Sequence, residues 1–124
     1  MSAGDVPPEH QDLLMRAYAA YNTQDVEALL ATLSDDIDWH DDAARLHGKA
    51  AVHAYWAEQW TRVRAHDEPS HLAQLADGRT SVHVDQVVRS LHGSVLSQGH
   101  FVHVHRIKDG RITRMDIQAA LDDG

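Results

Sequence analysis

Ile37-Asp38-Trp39-His40-Asp41 alternates apolar and polar residues with the period of a β-strand, which puts Ile37, Trp39 and Asp41 on one face. A carboxylate sharing a face with a tryptophan is either a solvated strand end or an acid at the wall of an apolar cavity. Two helical patterns precede this stretch, and one helix and a run of strands follow it. What Asp41 can do depends on whether the rest of the chain builds that cavity.

Upstream, Leu13, Leu14, Ala17, Tyr18 and Tyr21 fall at helical spacing, so a first amphipathic helix is expected from about Pro8 to Tyr21. Asn22-Thr23 stops it and can cap a second, shorter helix, with Asp25 and Glu27 in its first turn. Val26, Leu29, Leu30 and Leu33 form the apolar stripe of that helix, and the short break predicts a helical hairpin. Ser34-Asp35-Asp36 ends it, and the first strand follows.

Downstream, Asp42 to Gly48 reads as a loop. A third helix from Lys49 shows Val52, Tyr55, Trp56, Trp60 and Val63 on one face, and His66-Asp67-Glu68-Pro69 reads as its terminator. Asp77-Gly78, His92-Gly93-Ser94 and Asp109-Gly110 are turn signals separating long alternating segments. Val82, Val84, Gln86 and Val88 share one face of the second of these segments. Phe101, His103, His105 and Ile107 share one face of the third. The expectation is a four-stranded antiparallel meander after the third helix. The chain is then a single α+β domain over residues 1–124, of order α-α-β-α-β-β-β-β. Its curved antiparallel sheet wraps around three helices, which cannot fill it and leave a pocket.

Composition narrows the function. Eleven Lys and Arg against nineteen Asp and Glu give a net charge of −8, which argues against nucleic acid, whose phosphates need a basic patch. No stretch approaches the ~20 apolar residues of a membrane helix. Met1 to Glu9 has no basic residue and no apolar run, so no secretory signal is expected. The chain has no cysteine, which excludes disulfides and thiolate metal sites and makes the cytoplasm the expected location. There is no glycine-rich phosphate loop and no Gly-x-Ser-x-Gly elbow. No cofactor is expected.

Among the residues that remain, Asp41 is the candidate base. Burial beside Trp39 and Tyr55 would raise a carboxylate's pKa towards neutrality, whereas a solvated Asp41 would only cap the loop beside Asp42. His103 and His105, two apart on one strand, share a face. Either could donate a hydrogen bond, act as an acid or orient Asp41, unless a one-residue register shift turns them outward. Tyr18, Trp39, Tyr55 and Gln86 are candidate pocket contacts, with Gln86 a polar residue on an otherwise valine face. The spacing of His103, His105 and Asp109 is similar to part of a cupin metal motif. Asp109 is needed by its turn, however, and three N-terminal helices do not suit a cupin, so no metal is expected. Asp38, His40, His83, Asp85 and Arg89 fall on the opposite strand faces, as a solvated or dimer-forming surface would.

The order of several short pieces resembles the NTF2-like superfamily in its SnoaL-like and ketosteroid-isomerase-like branch. They are Ala17-Tyr18-Ala19-Ala20-Tyr21-Asn22 with Asp25, Asp35 to Asp41, Gly48 with Val52, Tyr55 and Trp56, and Asp109-Gly110-Arg111-Ile112. The likeness spans about Glu9 to Ala119. It implies a cone around an apolar pocket and homodimerisation through the outer sheet face. It places a proton-transfer base at Asp41. The two oxyanion donors of isomerase-like members fall on His103 and Ala17, so steroid isomerisation itself is not implied. The expected function is binding of a small hydrophobic molecule, with cofactor-independent proton transfer of isomerase, cyclase or dehydratase type. The alternative is a noncatalytic ligand-binding or dimerisation module on the same fold.

Overall fold

The structure is a computed structural model and describes residues 5–41 and 44–119, the side chains of Asp41, Ala44 and Ala119 excepted. Its elements are α1 (Pro8–Asn22), α2 (Val26–Leu30), β1 (Leu33–Asp41), β2 (Ala44–His47), α3 (Lys49–Gln59), β3 (Val63–Gln74), β4 (Thr80–Ser90), β5 (Val95–Lys108) and β6 (Arg111–Ala119). Three helices pack on a curved, open six-stranded sheet of order β2-β1-β6-β5-β4-β3. The α+β class and the helix-filled curved sheet are those the sequence implies.

The helical spacing of α1 buries Leu13, Leu14, Ala17, Tyr18, Ala20 and Tyr21. Pro8 opens it, where a missing N–H costs nothing. Asp25 is itself the N-cap of α2, its carboxylate accepting from the Ala28 N–H at 3.1 Å. That helix is shorter than its apolar stripe suggests. Leu33, fully buried, opens β1 instead of closing α2.

Three further departures from the sequence reading have physical causes. The expected loop after Asp41 contains β2, which pairs antiparallel with β1 from Asp38↔His47 to Asp41↔Ala44. The third helix stops at Gln59, and His66-Asp67-Glu68-Pro69 lies inside β3 rather than ending a helix. There Ala65 and Asp67 face inward while Arg64, His66 and Glu68 face out, an alternation of period two that the polar composition disguises. Pro69 is tolerated because the ladder with β4 is irregular between Pro69 and His71. Finally, one pairing is parallel: β6 returns beside β1 with Trp39 opposite Met115. The meander β3 to β6 is antiparallel throughout.

The core lies between helices and sheet. Ile37, Leu33, Val52, Val82, Val84 and Ile112 are fully buried there. On the outer face Arg45 and Arg114 each bridge Asp38 and Asp116, and His100 bridges Asp85 and His83. Among the described residues no helix is long and apolar enough to cross a membrane.

Candidate functional site

Inside the cone the helices meet the sheet along a cavity walled by Tyr18 and Tyr21 of α1, Trp39 of β1, Trp56 of α3, Met115 and Ile117 of β6, and polar groups from β3, β4 and β5. Its free volume is about 30 Å³, room for a water molecule or two, so a metabolite has to push the walls apart. Edge-on ring contacts at 4.9 Å between Tyr21 and Trp56, and at 5.0 Å between Tyr55 and Trp56, build the aromatic side.

Helix α1 carries Tyr18 one turn beyond Leu14, so its ring follows Leu14 into the core. On β5, His103 and His105 point the same way because they are two residues apart. The Tyr18 hydroxyl sits between them, 2.8 Å from His103 Nδ1 and 3.1 Å from His105 Nε2. All three residues are buried. Burial pushes His103 down to about 4, helped by the charge of His40. Burial also pushes His105 down to about 3, helped by His103. Tyr18 is pushed well above its ordinary value by burial and then by the charge of Asp67. At neutral pH the trio is uncharged.

One hydroxyl proton has to serve two ring nitrogens, so Tyr18 donates to one and accepts from the other. His105 Nδ1 is buried with no partner among the described residues. A bare acceptor costs less there than a bare N–H. We therefore assign the His105 proton to Nε2, donating to Tyr18, while Tyr18 donates to His103 Nδ1. His103 keeps its own proton on Nε2, the nitrogen left for the cavity.

A carboxylate stands on the same wall. Asp67 is 4% exposed and lines the cavity. Gln86 Nε2 donates to its Oδ1 at 2.9 Å. Its backbone is clamped by Asn22, whose Oδ1 accepts from the Asp67 N–H at 2.8 Å and whose Nδ2 donates to the Asp67 carbonyl at 3.0 Å. The end of α1 thus fixes the height of β3 at this residue.

Of the residues singled out from the sequence, Tyr18, Trp39, Gln86, His103 and His105 line this cavity. Tyr55 does not. Val52 and Trp56, four apart, take the inward face of α3, and Tyr55 is turned aside to pack edge-on against Trp56. The Asp41 backbone closes β1, and its side chain lies outside the described residues. Ala17 also lines the cavity, and its neighbour Tyr18 supplies the hydroxyl that reaches His103. Sequence reasoning missed Asp67, Trp56, Met115 and Ile117 as wall residues. For Asp67 the available signal was the period-two placement of Ala65 and Asp67. Among the described residues no group of three or more His, Cys, Asp or Glu side chains is arranged to hold a metal ion.

The family model described as a SnoaL-like domain matches residues 14–115. The chain therefore belongs to the SnoaL-like family. Among solved structures it is similar to a putative polyketide cyclase from Sinorhizobium meliloti, at 25% identity and a TM-score of 0.76, covering 95% of this chain and 100% of that one. An NTF2-like protein of unknown function from Burkholderia pseudomallei superposes at a TM-score of 0.77 with 22% identity over 92% of each chain. A Mycobacterium tuberculosis protein solved with estradiol-17β-hemisuccinate gives 0.78 with 18% identity, covering 91% of this chain and 95% of that one. The last two establish shared fold alone. No curated protein matches the sequence.

Proposed function

We propose that the chain binds a small, mostly hydrophobic molecule between helices and sheet and moves a proton on it without a cofactor, as an isomerase, cyclase or dehydratase does. The observation that carries this reading is the Tyr18 hydroxyl held between two neutral, buried histidines at the wall of an apolar cavity. Such groups are costly to bury and serve no packing purpose that apolar side chains would not serve better. A neutral imidazole is a good partner for an oxygen that gains charge during reaction. His103 Nε2–H donates to that oxygen, while Tyr18, accepting from His105, donates to His103 Nδ1 behind it. The proton acceptor is Asp41 by resemblance. The similarity to a putative polyketide cyclase from Sinorhizobium meliloti supports a small-molecule ligand.

The test is exchange of α-protons on cyclic ketones in deuterated buffer, followed by NMR. Wild type should accelerate exchange, and His103→Gln should slow it about 100-fold or more while ligand quenching of tryptophan fluorescence persists. Binding without any exchange would make the protein a ligand carrier. Unaltered exchange in Asp41→Asn would remove Asp41 as the base.

A further inference from the structure

All three tryptophans of the chain have a buried indole N–H with no hydrogen-bond partner among the described residues. Their surroundings differ. Trp60 stands off the cavity, stacked on Trp56 at 5.4 Å. Trp56 lines the cavity, but the rings of Tyr21 and Tyr55 meet it nearly at right angles, an arrangement in which an N–H finds a weak π acceptor. Trp39 lines the cavity too, and among the described residues no aromatic ring meets it. Its N–H is a donor that no described residue satisfies, on a side chain in a residue only 6% exposed. A purely apolar side chain would cover the same wall without that cost. The register sets where this donor stands. Trp39 on β1 lies opposite Met115 on β6, which lies opposite His105 on β5. Two strand spacings, about 10 Å, therefore separate β1 from the strand that carries the histidine pair. The cavity thus has two donor positions, His103 Nε2–H over β5 and the Trp39 indole over β1.

We infer that Trp39 is a specificity-determining residue of this pocket, donating its indole N–H to a second oxygen of the ligand while His103 Nε2–H holds the first. The pocket then takes ring compounds with two acceptor oxygens, such as ring diketones, in preference to the corresponding monoketones. The inference rests on the proposed ligand-binding reading of the cavity and adds the chemical class to it. It does not depend on turnover. A protein that binds such a diketone without moving a proton keeps Trp39 in this role.

Two saturated bicyclic probes of nearly one shape test this, trans-decalin-1,5-dione and trans-1-decalone. Isothermal titration calorimetry at neutral pH should show wild type binding the dione about tenfold or more tighter than the monoketone. Neither probe carries an aromatic ring current, so a downfield move of an indole proton reports hydrogen bonding. The three tryptophans give three indole N–H resonances, assigned through their side-chain and backbone correlations. The dione should move that of Trp39 downfield and leave that of Trp60 in place. Trp39→Phe should bring dione and monoketone to similar affinity, whereas Trp60→Phe should keep the wild-type ranking. Equal wild-type affinities, a tighter monoketone, or a Trp39 indole proton that the dione does not move overturns the role of Trp39 while leaving the pocket in place. Binding of neither probe overturns the pocket and the inference together. The wild-type ranking and indole shifts decide the matter even if a variant fails to fold.

Discussion

Acidification from pH 7 to pH 5 should cost the fold about 4 kcal/mol through His103 and His105 alone. In the unfolded chain both titrate near the ordinary value of about 6.5. In the fold, burial holds His103 at about 4 and His105 at about 3. A base whose folded pKa is depressed is protonated first in the unfolded state. Its contribution is therefore complete above the unfolded pKa and is lost as pH falls towards the folded one. Integrating the difference in bound protons between pH 7 and pH 5 gives about 2 kcal/mol per histidine. Two such groups sum to about 4 kcal/mol, against a total stability of about 5–15 kcal/mol for an ordinary domain. Urea titrations followed by tryptophan fluorescence at several pH values measure this directly. The control is the triple variant Tyr18→Phe, His103→Leu, His105→Leu, which removes both titrating rings and the hydroxyl that would be stranded. The difference between wild type and variant isolates the pair from the other nine of the eleven histidines. A wild-type loss under about 1 kcal/mol would refute the reasoning, as would a variant that loses stability as steeply as wild type. Either outcome means that the rings are reached by water or protonated without cost.

Two other perturbations probe the same wall. Tyr18→Phe leaves His103 Nδ1 and His105 Nε2 without their shared partner and should cost about 1–3 kcal/mol, read as a fall of several degrees in Tm. An unchanged Tm would show that the hydroxyl contributes nothing to stability. Asn22→Ala cuts both bonds that tie the end of α1 to the backbone of Asp67 and should cost about 1–3 kcal/mol. It should also speed amide hydrogen exchange at Asp67, and protection equal to wild type there would contradict the clamp.

Much of this architecture was legible because its signals are local. The period of two in Ile37-Asp38-Trp39 placed Ile37 and Trp39 inward, and both are buried. The same period put His103 and His105 on one face, where they are found. The β3 segment failed for a reason that is also local. His66-Asp67-Glu68-Pro69 is rich in residues that end helices, and a proline argues against a strand. Only the irregularity in the β3–β4 ladder makes room for it. Tyr55 was misplaced because a one-residue step on a helix rotates a side chain by about 100°, a difference the apolar stripe of α3 does not resolve.

The sequence by itself determined the three helices, the inward faces of β1, β4 and β5 and the class of fold, since each follows from side-chain spacing within one segment. Tertiary structure alone decided that β6 lies parallel beside β1 and that Asn22 clamps Asp67 across 45 positions. It alone also closed the 85-position gap between Tyr18 and His103. Contacts of that separation depend on how the whole sheet curves around the helices, and no local period encodes that curvature. The stretch from Ile37 to Asp41 supplies one wall of the cavity through Trp39, while the titratable side chains Tyr18, Asp67, His103 and His105 on that wall come from α1, β3 and β5.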